Sequence, residues 1–138
     1  MKQTLEKQLE SAFKFMVKHP LKNPDFIEDL YSAFGCECRD GWYELLYNLC
    51  DEINEIYLNY EIEPNITVNQ VKEKIGTLRF YYSIPSDTDI NLVNEIDEVV
   101  DRYSRKSEVT CEVCGQQGKL RQDTVRWEVL CDSCLMKR

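Results

Sequence analysis

The sequence predicts an α+β fold, in which a mainly helical main domain with one β-hairpin precedes a small cysteine-rich module. Three observations lead to this prediction. Apolar side chains recur at helical spacing through residues 42–60, apolar and polar side chains alternate through residues 66–84, and two Cys-x-x-Cys pairs lie within residues 111–134. The chain has 138 residues, enough for one domain with a small module attached. We expect the main domain to span residues 1–106 and the module residues 107–138.

Two helices are predicted ahead of the long one. Residues 4–18 place apolar side chains on one helical face, namely Leu5, Leu9, Ala12, Phe13 and Met16. The segment HPLKNP ends this helix because proline cannot continue it. A second helix is expected over residues 25–34, where Pro24 suits the start and Gly35 suits the end.

The long helix has the strongest pattern in the chain. Within DGWYELLYNLCDEINEIYLNY, a single apolar face continues for about five turns. Pro64 follows this segment and ends it. The apolar face consists of Trp42, Leu45, Leu46, Leu49, Ile53, Ile56, Tyr57 and Tyr60.

A β-hairpin and a last helix complete the main domain. Residues 66–84 predict two antiparallel strands with Gly76 at the turn. Residues 90–103 predict a helix that begins after Asp89 as its N-cap. We expect the hairpin and the helices to share one core, which includes Trp42, Leu49, Ile53, Phe80, Ile96 and Val100.

The four C-terminal cysteines allow three interpretations: two disulfides, a redox pair or a metal site. The N-terminal segment has neither the apolar stretch nor the cleavage site of a secretory signal, and no apolar run reaches the roughly 20 residues of a membrane span. A cytoplasmic location in a host cell is therefore expected, where thiols stay reduced. A redox Cys-x-x-Cys usually occurs alone, whereas this chain has two matched copies. These considerations favour a metal site.

The spacing of the cysteines is typical of a zinc site. Cys111, Cys114, Cys131 and Cys134 form two pairs whose spacer suits a hairpin that returns the second pair to the first. Gly115 allows the turn after the first pair, and the second pair is expected to open a short terminal helix. Soft thiolate ligands select zinc over harder cations. The sequence thus predicts one structural zinc ion in a zinc ribbon or treble-clef-like module.

Four protein ligands close the coordination shell, so this zinc is expected to support the fold and not to catalyse. Residues 115–130 contain no histidine that could act as a general base, and we find no catalytic triad or glycine-rich phosphate loop. We therefore expect that the protein is not an enzyme. A second metal site stays open as an alternative, although its spacing matches no established zinc pattern; its ligands would be Cys36, Cys38, Cys50 and His19.

The net charge of −8 is concentrated in one segment. Residues 25–63 contain eleven acidic residues and a single base, Arg39. Four of these carboxylates are predicted to lie opposite the apolar face of the long helix, namely Asp40, Glu44, Asp51 and Glu55. Such a row repels a phosphate backbone and suits a basic protein surface, so we expect it to bind a protein partner. The alternative is a solvated helix face, which is commonly charged.

The cysteine-rich module is nearly neutral and supports a second hypothesis. Zinc ribbons that bind nucleic acid usually present a basic face with exposed aromatic side chains. Arg121, Arg126 and Trp127 are the concentrated candidates for such a face. The alternative function is therefore a small zinc-ribbon regulator that binds DNA or RNA. We expect Trp127 to be packed, because a tryptophan supplies much of the buried area of a small hairpin.

Three segments together resemble a family of small phage and prophage proteins of uncharacterised function. These segments are DGWYELLYNLC, VKEKIGTLRFYY and CEVCGQQGKLR…W…LCDSC, and the resemblance covers residues 40–134. The matching residues are Gly41, Trp42, Lys72, Lys74, Gly76, Leu78, Arg79, Phe80, Tyr81 and the four terminal cysteines. The resemblance implies a mobile-element context. By analogy with acidic phage proteins that block host defence, it implies an anti-CRISPR inhibitor of an RNA-guided nuclease.

Overall fold

The long apolar stripe forms the central helix of an α+β structure. A computed structural model describes residues 1–23, 25 and 29–137. Within them, the helices are α1 (Gln3–Ala12), α2 (Leu30–Phe34), α3 (Tyr43–Asn59), α4 (Ile90–Ser107) and α5 (Asp132–Met136), and the strands are β1 (Cys36–Glu37), β2 (Thr67–Lys74), β3 (Thr77–Ser83), β4 (Lys119–Arg121) and β5 (Glu128–Leu130). Short 3₁₀ turns span Lys14–Met16 and Asp40–Trp42. The predicted fold class is confirmed.

The described residues form two sheets, one in each part of the chain. β1, β2 and β3 form a three-stranded sheet in that order, with β1 parallel and β3 antiparallel to β2. A register shift lies between Val68 and Gln70. β4 and β5 form a separate antiparallel pair between the two cysteine pairs. The described residues contain no helix of the length and apolar character needed to cross a membrane.

The hairpin turn between β2 and β3 lies where the sequence predicts it. Ile75 and Gly76 both have positive φ, 52° and 74°, as a two-residue hairpin turn with right-handed strand twist requires. The backbone N–H of Gly76 donates to the Glu73 carboxylate at 3.2 Å. At Gly76, the nearest atom to an added Cβ would be Leu120 Cδ1 at 2.6 Å. The turn of the main sheet therefore lies directly against the β4–β5 hairpin.

The first two helices are shorter than predicted. α1 ends at Ala12 because Phe13 is extended (φ −134°, ψ 118°), and a 3₁₀ turn follows instead of a longer helix. This break lets both Phe13 and Met16 enter the core, whereas Ala12 is exposed. α2 begins at Leu30, and the Asp29 side chain accepts from the backbone N–H of Ser32 as its N-cap. The predicted start of this helix at Pro24 lies outside the described residues.

The apolar faces of α3 and α4 build the core against the inner face of the main sheet. Trp42, Leu49, Ile53, Phe80 and Ile96 are buried, as predicted. The prediction for Val100 was wrong, because this side chain is only half-buried. The buried stripe of α4 passes through Leu92, Ile96, Val99, Tyr103 and Ser107, which leaves Val100 at its edge.

Three further details refine the predicted helices. Leu45 and Tyr60 border the buried face of α3 and are half-buried. The predicted N-cap of α4 is confirmed, since the Asp89 carboxylate accepts from the backbone N–H of Asn91 at 2.8 Å. α4 continues to Ser107, so the predicted boundary at residues 106 and 107 falls in its last turn. The division into two domains stays a prediction.

The core assignment can be tested with two leucines on opposite faces of α3. Leu49 is fully buried and Leu58 is 62% exposed. We expect Leu49→Ala to lower the free energy of unfolding by about 2–5 kcal/mol through lost burial and a cavity. Leu58→Ala is the matched control and should change it by about 0.5 kcal/mol or less. Urea denaturation of both variants measures the difference, and equal losses would contradict the assigned face.

Candidate metal centre

The structure brings the four terminal cysteines together into one cluster. The sulfur atoms of Cys111, Cys114, Cys131 and Cys134 all lie within 4.8 Å of one another. The Sγ atoms of Cys114 and Cys131 are 3.6 Å apart. Cys111 is buried, Cys131 and Cys134 are half-buried and Cys114 is exposed. This arrangement can hold a metal ion.

The first cysteine pair lies on a tight backbone loop. The N–H of Cys111 donates to the carbonyl of Gln116 at 2.7 Å, and the N–H of Gly115 donates to the carbonyl of Cys111 at 2.9 Å. Gly115 has a φ of 80°, a conformation that favours glycine. The loop therefore turns sharply after Cys114, and both sulfurs of the pair face the cluster.

The second cysteine pair opens the last helix, as predicted. Cys131 is the N-cap of α5, and its sulfur accepts from the backbone N–H of Cys134 at 3.4 Å. Between the two pairs, β4 and β5 pair antiparallel, with Leu120 opposite Val129. A further bridge joins Thr110 to Gln117 at the base of the first loop. The hairpin thus returns the second pair to the first.

Backbone N–H groups favour a thiolate in this cluster. Burial raises the pKa of Cys111, but N–H groups of Cys114, Cys131 and Val113 outweigh it and lower that pKa to about 6. The pKa of Cys134 is instead raised to about 12 by its hydrogen bond with Cys131 and by burial. One thiolate forms readily, whereas several thiolates side by side need a cation to offset their repulsion.

Backbone contacts join the cysteine-rich module to the start of α3. The N–H of Gly41 donates to the carbonyl of Glu112 at 2.8 Å, and the indole N–H of Trp42 donates to the carbonyl of Thr110 at 2.9 Å. A Cβ on Gly41 would lie 2.5 Å from the carbonyl carbon and oxygen of Glu112. Only glycine therefore permits this approach of the two backbones.

Charged side chains are buried in the same junction. Arg39 Nη1 lies 3.0 Å from Oε1 of Glu128, whose side chain is fully buried. Glu112 is also fully buried, and within the described residues neither of its carboxylate oxygens has a hydrogen-bond partner. Burial and the nearby Glu73 raise the pKa of Glu112. No sequence pattern indicated that these two carboxylates are buried, because each lies in a segment with no clear apolar period.

The described residues do not form the second metal site that the sequence left open. Among the described residues, the terminal cluster is the one group of three or more potential ligands within coordination distance of each other. Cys36, Cys38 and Cys50 are buried in the main core, where burial raises the pKa of each thiol. His19 is exposed, and its backbone N–H donates to Ser32 Oγ at 2.9 Å. The three cysteines therefore act as small apolar core residues.

Two predictions for the module need correction. Trp127 is 46% exposed and does not pack as expected, whereas the three residues that follow it in β5, Glu128, Val129 and Leu130, are all buried. Arg121 is not available on the surface, since its Nε donates to the carbonyl of Leu130 at 3.1 Å and its Nη2 lies 2.7 Å from Asp132 Oδ1. Of the three candidate nucleic-acid residues, Arg126 and Trp127 are exposed.

The four predicted partner-binding carboxylates do not all lie on the long helix. Glu44, Asp51 and Glu55 are exposed along one line of α3. Asp40 precedes the helix in the 3₁₀ turn and is half-buried. Its Oδ1 accepts from the backbone N–H of Lys2 at 2.7 Å, so it is already engaged within the chain.

A groove connects the acidic helix to the first cysteine pair. Its volume is about 430 Å³, and it lies between the start of α3, the end of α4 and the loop after Cys111. Asp40 and Glu44 contribute carboxylates, and Tyr43 and Val113 contribute apolar surface.

Comparison with family models, curated proteins and solved structures found no match.

The ligand assignment can be tested by replacing one cysteine. We expect Cys114→Ser to lose the metal, because a neutral hydroxyl is a poor substitute for a thiolate ligand. Cys50→Ala is the control, since it removes a buried thiol outside the cluster. Elemental analysis of the purified proteins should give about one equivalent of metal for the control and far less for Cys114→Ser. Full metal retention by Cys114→Ser would refute the assignment.

The junction can be tested separately at Gly41. We expect Gly41→Ala to lower the free energy of unfolding by about 1–3 kcal/mol, because the added methyl group forces two backbones apart. It should also speed metal loss to a chelator, since the first cysteine loop loses its support. Unchanged stability together with unchanged chelation kinetics would show that this contact does not hold the module.

Proposed function

We propose that this protein is a non-enzymatic, zinc-containing protein-binding protein. In this proposal, its acidic surface blocks a basic, nucleic-acid-binding surface of a host protein. The resemblance to small phage and prophage proteins suggests a mobile-element origin and a CRISPR nuclease as one such host protein. The partner acts in the host cytoplasm, and no membrane is involved.

The cysteine cluster supports zinc as the metal. Zinc binds thiolates at about 2.3 Å in a tetrahedron, which places the sulfurs about 3.8 Å apart. Within the cluster, the Sγ atoms of Cys114 and Cys131 lie 3.6 Å apart and none of the sulfur separations exceeds 4.8 Å. Four thiolates leave no open coordination position for a substrate, which favours a structural ion over a catalytic one. On this basis we infer that the protein has no enzymatic activity at this site.

The groove beside the cysteine loop is the observation that supports protein binding. Carboxylates of Asp40 and Glu44 line it and outnumber Lys106, the one base among its described lining residues, and they lie beside Tyr43 and the 44% exposed Val113. Acidic and apolar groups in one concave surface suit an arginine or lysine side chain, whose stem packs while its charge is paired. The metal would hold the loop of Val113 in place, so the acidic helix and the module would bind together.

The line of carboxylates on α3 extends this surface. Glu44, Asp51 and Glu55 are exposed, and no ion pair involves them among the described residues. Charges of this kind steer a basic partner towards the groove and act mainly on the association rate. A basic surface built for phosphates is the kind of partner that such a line fits.

The alternative is a zinc-ribbon regulator that binds DNA or RNA through the module. The exposure of Trp127 beside Arg126 favours this function, whereas the internal pairing of Arg121 weakens it. Under this alternative, Arg126→Ala and Trp127→Ala would abolish direct binding to nucleic acid and would leave protein binding unaffected.

The acidic-surface proposal is tested by charge removal. A tagged full-length chain captures partners from host lysate cleared of nucleic acid by nuclease, and mass spectrometry identifies them. We expect the triple variant Glu44→Gln, Asp51→Asn, Glu55→Gln to associate with the captured partner about ten-fold more slowly at low salt, with a smaller change in dissociation. Surface-based kinetics measures both rates.

A matched triple variant controls for net charge. Glu61→Gln, Glu63→Gln and Asp87→Asn remove three exposed carboxylates away from the groove, near the far end of α3. This control should associate at close to the wild-type rate, and excess duplex DNA should compete with the wild type for the partner. Equal rates for both triple variants, or no competition by DNA, would contradict the proposal.

A further inference from the structure

The outer face of the main sheet differs in charge from the rest of the protein. Residues 64–86 contain three bases and a single acid, whereas the whole chain has a net charge of −8. Strand alternation places Val71, Leu78 and Phe80 on the inner face, where they are buried in the core. The same alternation places the polar side chains on the outer face, namely Gln70, Lys72, Lys74, Thr77, Arg79 and Tyr81.

The acids near this face do not neutralise its bases. Glu73 belongs to the inner set by alternation, and its carboxylate accepts from the N–H of Gly76. Glu37 lies in register with Lys72 across β1 and β2, but its carboxylate accepts from the Gln70 amide at 3.3 Å. In the described part of the chain, no ion pair is formed by Lys72, Lys74 or Arg79.

Among the described residues, the Nε of Arg79 also has no acceptor. Its Nε is shielded from solvent and has no hydrogen-bond partner within the described residues. Arg79 lies directly opposite Lys72 in the β2–β3 register, and Lys74 follows two residues after Lys72. Two residues along a strand span about 7 Å, so the three cations form one compact group.

An exposed aromatic ring lies within this group. Tyr81 is 42% exposed, and Lys72 Nζ lies 6.0 Å from its ring centroid. A flat ring flanked by unpaired cations is the arrangement with which proteins bind single-stranded nucleic acid, by stacking a base and pairing the adjacent phosphates.

We propose that the outer face of the sheet binds single-stranded nucleic acid. Lys72, Lys74 and Arg79 contact the phosphates, and Tyr81 stacks on a base. The inner face of this sheet packs against the helices, so its outer face points away from the carboxylates of α3. Salt screens charges beyond about 8–10 Å, which limits the repulsion from that side of the protein.

The exposed Tyr81 side chain distinguishes a nucleic acid from the other polyanions that could bind these cations. An acidic protein, or the acidic helices of a second copy of this chain, would also match the cations by charge. Such protein surfaces carry aromatic side chains only at scattered positions, whereas in a nucleic acid every phosphate is accompanied by a flat base on which the tyrosine can stack. This surface is separate from the groove at Asp40 and Glu44, so it stands or falls independently of the proposed function.

The test measures binding of a fluorescent single-stranded oligonucleotide to the full-length, metal-loaded protein by anisotropy. We expect the triple variant Lys72→Gln, Lys74→Gln, Arg79→Gln to lose most of the affinity. We also expect the slope of log K against log salt to become less negative by about 2, because each of the three lost phosphate contacts contributes about 0.7 to that slope. Tyr81→Ala should weaken binding about ten-fold, and Tyr81→Phe should not.

A matched control removes three exposed bases elsewhere. Lys7→Gln, Lys14→Gln and Lys22→Gln remove the same total charge outside the sheet, so this variant should bind like the wild type. Circular dichroism confirms that each variant is folded, and the single variant Lys74→Gln, at an exposed position, replaces the triple variant if that one unfolds. It should flatten the slope by about 0.7.

Four results would overturn the proposal. The first is no measurable binding at about 50 mM salt, and the second is equal loss in the sheet variant and the control variant. The third is full competition by polyacrylate with no effect of Tyr81→Ala, which would indicate a general polyanion surface. The fourth is concentration-dependent self-association that the sheet variant abolishes while oligonucleotide binding persists unchanged, which would assign the face to a second copy of the chain.

Discussion

The contact between Gly41 and the first cysteine loop determines how the two parts of this protein fit together. Two backbones meet there, because the N–H of Gly41 donates to the carbonyl of Glu112 and no side chain separates them. The Trp42 indole adds a second bond to Thr110, and the same tryptophan is fully buried in the main core. The cysteine cluster, the start of α3 and the core are therefore connected through adjacent residues, and the groove exists because of that connection.

The two-layer arrangement of helices and sheet separates charge within the molecule. The helices turn their apolar faces to the inner face of the sheet, so exposed carboxylates such as Asp51 and Glu55 lie on the helical side. The bases of β2 and β3 lie on the outer face of the sheet. A strongly acidic chain thereby presents a basic surface as well, and the two proposals for this protein use opposite sides of one fold.

Local patterns predicted the elements better than they predicted the contacts between them. The period of α3, the turn at Gly76 and the cysteine spacing are short-range signals, and the structure follows all three. The burial of the Val100 and Trp127 side chains was predicted wrongly, because the burial of a side chain at the edge of an apolar stripe depends on which neighbouring element covers it. The role of Gly41 and the buried Glu112 had no local signal, since both depend on the docking of segments that lie far apart in the sequence.

Hydrogen exchange with and without a metal chelator tests the central claim most directly, namely that the metal cluster orders the junction with α3. The account expects that metal removal speeds exchange throughout residues 109–136 and also at the amide of Gly41, which is bonded to the loop. The amides in the centre of α3 and in β2 and β3 should stay protected. Unchanged protection at Gly41 after complete metal removal would contradict the account, as would loss of protection throughout the chain.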